Sequence, residues 1–163
     1  MNNKGFTLVE FIVWSAMAVL ISVGIISLFA SIVKSYQYSY EQGSNAQDAQ
    51  NILNLITNEL RNAASITNLT NTEVDYTTSV NGTTENRKIY LGSGNNAHTI
   101  IYAVNNTITK ELGVDRVKEF NFDPILTSNN KKEIKITLTM QNQQNSNLPL
   151  VQLSDTVVTL NDM

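Results

Sequence analysis

The sequence predicts an α+β fold, with one long N-terminal helix packed on a C-terminal antiparallel β-sheet. Three observations lead there. An uncharged, mostly apolar run extends from Phe11 to Val33. Beyond it, apolar residues recur at spacings of three and four as far as Ala63-Ala64, which is the helical period. From Ile66 onward the pattern turns to short alternating segments separated by turn dipeptides, the signature of hairpins. Helix first and strands afterwards is an α+β order.

The apolar run is interrupted only by the small residues Ser15, Ser22, Gly24, Ser27 and Ser31. At about 1.5 Å per residue, roughly twenty such residues cross the hydrocarbon core of a membrane. Lys4 favours a cytoplasmic N-terminus, and Lys34 on the other flank partly cancels that bias. Two plainer readings compete. A secretory signal has a shorter apolar region and a small-x-small cleavage site, which Ala30-Ser31-Ile32 does not supply. A simple single-span anchor leaves Gly5 and Glu10 without a purpose, and a carboxylate set against hydrocarbon is costly.

The next stretch places Ala49, Ile52, Leu53, Ile56, Leu60, Ala63 and Ala64 on one helical face, with Gln50, Asn54, Asn58, Glu59 and Arg61 opposite. One helix is predicted from about Phe6 to about Ala64, bent or frayed near Gly43. Two helices split at Gly43 are the alternative. Glu59 and Arg61 are two apart and do not face each other, so Arg61 is expected to reach a strand or loop.

Strands follow in order. Val74 to Val80 alternates and ends at Asn81-Gly82, a hairpin dipeptide. Lys88 to Leu91 is the return strand, stopped by Gly92-Ser93-Gly94-Asn95-Asn96. Thr99 to Val104 and Thr107 to Leu112 flank the turn candidate Asn105-Asn106. Val117 to Phe122 is expected to close at Asp123-Pro124. Glu133 to Met140 sets Ile134, Ile136, Leu138 and Met140 on one face. Leu150 to Leu160 is the last strand, with a break expected near Ser154-Asp155.

A chain of 163 residues has room for one domain and an anchor. Eleven basic against fourteen acidic side chains give a net charge of −3, which carries no electrostatic signature for nucleic acid. The densest basic cluster, Lys131-Lys132, reads as a solvated hairpin tip. There is no cysteine, which excludes disulfides, thiolate metal sites and cysteine nucleophiles. Asn-x-Ser/Thr triplets at Asn68, Asn81 and Asn105 are expected by chance in so Asn- and Thr-rich a chain.

No catalytic constellation stands out. His98 is the single histidine, between a Gly/Asn loop and an apolar strand. The Gly92–Asn96 loop lacks the lysine and following helix of a phosphate cradle. Asp115, Asp123, Asp155 and Asp162 are scattered, without the Asp-x-Asp-x-Asp spacing of a calcium loop. No cofactor and no metal are therefore expected, and the chain is read as a non-enzyme.

The segment Lys4-Gly5-Phe6-Thr7-Leu8-Val9-Glu10, standing directly before the membrane-length run, resembles the class III signal of type IV prepilins and pseudopilins. That resemblance implies a pilin-like fold and cleavage by a membrane-bound prepilin peptidase between Gly5 and Phe6, with methylation of the new N-terminal Phe6. It also implies that Glu10 meets the N-terminal amine of a neighbouring subunit, setting filament register while Thr7, Leu8 and Val9 fill the space between helices. The chemistry suits these roles. Gly5 lets a protease draw the backbone close, a free α-amine on Phe6 is cationic near neutral pH, and an ion pair relieves the penalty on a lone carboxylate in an apolar layer. The implied layout is a leader at 1–5, a membrane and filament-core helix at 6–33, its amphipathic continuation at 34–65, and an extracytoplasmic β-sheet domain at 66–163.

The stretch from Leu53 to Ala63, with Glu59-Leu60-Arg61 near its end, is similar to the end of the long helix in PilW-like minor pilins and J-type minor pseudopilins. The order of strands after Ile100 also looks like the C-terminal half of the PilW-like group, although only the first 33 residues are specific. There is no proline before Pro124, and Trp14 lies deep in the apolar run; both points suit a minor, low-copy component. The expected function is a structural subunit that primes or caps a type IV pilus-like filament. Its partners are other pilins or pseudopilins, the prepilin peptidase and the inner or cytoplasmic membrane. It would first be a single-pass membrane protein with a cytoplasmic N-terminus, then part of an extracellular filament. A filament-tip adhesion or DNA-uptake subunit is the alternative, the DNA version lacking a basic cluster. A membrane-anchored enzyme is the third reading.

Overall fold

The computed structural model describes residues 7–126, 132–141 and 150–158. Helix α1 (Leu8–Arg61) is followed by β1 (Ser65–Leu69), β2 (Glu73–Val80), β3 (Thr83–Leu91), a 3-10 turn (Gly94–Asn96), β4 (Ile100–Val104), β5 (Thr107–Leu112), β6 (Val117–Leu126), β7 (Lys132–Met140) and β8 (Val151–Val158). The chain divides into two compact units, Met1–Tyr40 and Glu41–Met163, and α1 contributes to both.

In the first unit every described residue is exposed. Large apolar side chains point outward all around the helix, among them Leu8, Phe11, Trp14, Leu20, Ile26 and Phe29. Two of its serines satisfy their hydroxyls within the helix: Ser15 Oγ donates to the Phe11 carbonyl at 2.7 Å and Ser22 Oγ to that of Ala18 at 2.8 Å. These groups therefore need no water, which suits a lipid setting. Among the described residues, α1 is the one helix long and apolar enough to cross a membrane.

In the second unit, the C-terminal part of α1 packs on antiparallel sheets. It buries Asn45, Ala49, Ile52, Leu53, Ile56, Thr57 and Leu60, spaced three and four apart along one face. One sheet has the order β1-β2-β3-β4-β5 and the other β6-β7-β8. Every pairing is antiparallel between consecutive strands. Val74, Tyr76, Ile89 and Ile100 from the first sheet join Phe120, Phe122, Leu138 and Met140 from the second in one core with α1. Phe120 and Phe122 meet edge to face with ring centroids 4.7 Å apart, a favoured aromatic geometry. Ile134, Ile136, Leu138 and Met140 are all fully buried, as their alternation predicts.

Both two-residue hairpins form. Asn81 and Gly82 take φ of 51° and 80°, Asn105 and Asn106 φ of 50° and 65°, the left-handed geometry that asparagine and glycine accept most readily. Several boundaries differ from expectation. α1 runs through Gly43 without interruption, and a side chain at that position would meet open space. β3 begins at Thr83 rather than Lys88, in unbroken register with β2. β6 continues through Asp123-Pro124, where Pro124 pairs with Ile134. β6 is an edge strand, and a proline costs no ladder bond when its missing N–H would face outward. β8 is unbroken at Ser154-Asp155. Lys131 and Leu160 lie outside the described residues, so the tip read at Lys131-Lys132 is described only from the start of β7.

Candidate functional site

The N-terminal candidates divide. Gly5 and Phe6 lie outside the described residues; Glu10 sits in the first turn of α1. The Thr7 carbonyl accepts from the Phe11 amide at 3.2 Å, which makes Thr7 the helix cap. Thr7 N–H and Thr7 Oγ1 each donate to Glu10 Oε2 at 2.9 Å, and Glu10 N–H donates back to Thr7 Oγ1 at 3.3 Å. This is a reciprocal capping box, which satisfies amide groups that a helix start otherwise leaves bare. The signal was present in the sequence: threonine followed three residues later by glutamate, just before an apolar run. Glu10 thus has a local role besides any role toward a neighbour, and both bonds that its carboxylate accepts from Thr7 use Oε2.

A second polar cluster joins α1 to the first sheet. Glu59 Oε2 accepts from Arg87 Nη1 at 2.6 Å, from Tyr76 Oη at 3.0 Å and from Tyr102 Oη at 3.3 Å. Arg87 also donates from Nε and Nη2 to Glu85 Oε2 at 3.2 and 2.9 Å. Burial pushes the Tyr76 phenol above the usual tyrosine range, and the Glu59 charge adds to it. Tyr102 shifts the same way, for the same two causes in the same order. Burial works against the Arg87 charge, but its bonds to Glu85 and Glu59 outweigh that and hold it above its ordinary range. The helical period sets Glu59 among solvated residues; in the fold it reaches side chains of β2, β3 and β4. Arg61 is exposed, and no hydrogen bond or ion pair holds it to a strand or loop among the described residues. Arg87, from β3, holds the helix instead.

Two further ties fix the helix. Arg116 Nη1 pairs with Asp48 Oδ2 at 2.7 Å and donates to Asn45 Oδ1 at 3.3 Å. Thr57 Oγ1 donates to Asp155 Oδ2 at 2.9 Å. Asp155 therefore turns inward from β8, which is why the expected break there is absent.

The other candidates are dispersed. His98 Nδ1 donates to the Val117 carbonyl at 2.9 Å, and Val117 N–H donates to the His98 carbonyl at 3.0 Å. That pairing ties the loop before β4 to the start of β6 and presents no nucleophile to the ring. Gly92 N–H donates to the Thr99 carbonyl at 2.9 Å, and a side chain at Gly92 would strike the Asn96 backbone, so its loop is a closed turn. Asp115 and Asp123 are exposed, and Asp162 lies outside the described residues. No group of three or more His, Asp or Glu side chains that could hold a metal ion occurs among the described residues.

Fold and side-chain geometry define a chain with one helix long and apolar enough to cross a membrane, continuing into an α+β unit fastened by ion pairs and hydrogen bonds. Comparison with protein-family models, with curated proteins and with solved structures finds no match.

Proposed function

We propose that this chain is a minor pilin or pseudopilin, a low-copy structural subunit that primes or caps a type IV pilus-like filament. The observation that carries the reading is Glu10, a carboxylate at the head of an apolar helix and five residues after Gly5. The helix that follows exposes large apolar side chains on all sides, and a surface of that extent calls for lipid or for neighbouring helices. Its continuation is docked on antiparallel sheets, the architecture expected of a pilin-like subunit. In the filament, the α-amine created at Phe6 would reach Glu10 of an adjacent subunit while Glu10 Oε2 keeps its bonds to Thr7.

A simple membrane anchor would need only the capping box. Glu10→Gln separates the two, because glutamine also completes such a box but carries no charge. The filament reading predicts normal cleavage and helix content in Glu10→Gln, with incorporation into filaments lost or reduced at least about tenfold, the equivalent of one charge-assisted hydrogen bond. Incorporation equal to wild type would leave Glu10 as a cap alone.

A further inference from the structure

The first sheet carries a polar cleft of about 400 Å3 whose lining includes Tyr76 and Arg87 as well as Asp75, Asn86 and Lys88. Asp75 and Lys88 pair directly in the β2–β3 register, and strand alternation sets Asn86 on their side. One wall is Thr67, the extra residue where β1 shifts register between Ile66 and Asn68; the other is the Asn105-Asn106 turn. Both walls are held in place. Thr67 Oγ1 donates to the Asp75 carbonyl at 3.2 Å. Asn105 N–H donates to the Asn86 carbonyl at 2.8 Å, while Asn105 Oδ1 accepts from Asn86 N–H at 3.1 Å. That arrangement commits the Asn105 oxygen and leaves its Nδ2 to donate elsewhere.

The charges in the cleft cancel locally. Lys88 Nζ sits 2.8 Å from Glu73 Oε1 and 3.6 Å from Asp75 Oδ1, and Arg87 in the lining is paired with Glu59 and Glu85, so no cation is left over for a phosphate. Asp75 Oδ2 accepts from Asn68 Nδ2 at 3.2 Å, yet Asp75 Oδ1 is shielded from solvent without a hydrogen bond. The Lys88 ammonium compensates that oxygen's charge across 3.6 Å, and a ligand hydroxyl inserted between the two would accept from Lys88 Nζ and donate to Asp75 Oδ1. Three carboxamides, a hydroxyl, a carboxylate and an ammonium offer donors and acceptors side by side. Adjacent sugar hydroxyls, each both donor and acceptor, match such a set, and the volume falls within the range of small-ligand sites.

We infer that this cleft binds one ring of a neutral saccharide. The site needs no filament and stands independently of the pilin reading. Saturation-transfer NMR on the full-length protein in lipid nanodiscs tests it, since sugar-headed detergents would compete. The probes are the methyl glycosides of glucose, galactose and N-acetylglucosamine, each beside its β-linked disaccharide, with inorganic phosphate as competitor. A saturable signal from at least one glycoside is expected. It should weaken about tenfold in Asp75→Asn, a fold-change of the size one charged hydrogen bond gives, and also fall in Asn106→Gly, which keeps the left-handed turn. Tighter binding of the disaccharide identifies a glycan chain as the source, and equal binding a free sugar; either supports the site. No saturable signal, unchanged binding in both variants, or displacement by phosphate would overturn it.

Discussion

Glu59 Oε2 gathers three donors, and two of them are phenols whose titration links the cluster to pH. Tyrosine in an unfolded chain loses its proton near pH 10. Tyr76, pushed up by burial and by Glu59, keeps its proton at higher pH when folded. Its contribution is complete below about pH 10, and above that the unfolded chain releases a proton the folded chain retains, so stability falls as pH rises. Tyr102 and Lys88 are raised too, Lys88 chiefly by its bond to Glu73, and both steepen the same alkaline loss. Tyr76→Phe should lower neutral-pH stability by about 1.5–3 kcal/mol, one net hydrogen bond to a charged group, while flattening the decline above about pH 10. Urea unfolding of the strand circular-dichroism signal across that range checks it; parallel declines would show that Tyr76 does not titrate with folding. Little of this cluster was legible in the sequence. Helical spacing places Glu59 beside Asn58 on a polar face, and nothing local reveals that Arg87, 28 residues on, will reach it. The Thr7–Glu10 box is the opposite case, because its partners are three residues apart.

Periodicity identified the elements themselves well, and two of the misjudged boundaries share a cause. Pro124 and Ser154-Asp155 carry local signals for a break, but β6 lies at a sheet edge and Asp155 finds Thr57 on the helix. Tertiary placement overrode both signals. Gly43 differs, since a glycine that suggests a bend lies in continuous helix with open space around it. Gly43→Ala should therefore stabilise the helix by roughly 0.5–1 kcal/mol, by removing backbone freedom from the unfolded chain. Thermal melts in lipid are the measurement. A lower melting temperature for Gly43→Ala would mean that the helix needs the glycine's freedom at that point.

For the whole molecule, one chain combines a helical segment that buries nothing of its own with an α+β unit whose core is closed without disulfides. The first needs a partner phase, lipid or other helices; the second does not. A filament subunit that waits in the membrane uses both properties in turn, and its processing at the Gly5–Phe6 bond would mark the change. The intact mass of the protein purified from the cells that make it is the most direct measurement. A filament subunit predicts a polypeptide that lacks Met1–Gly5 and carries one added methyl on Phe6. A mature chain that still begins with its first five residues would contradict that function.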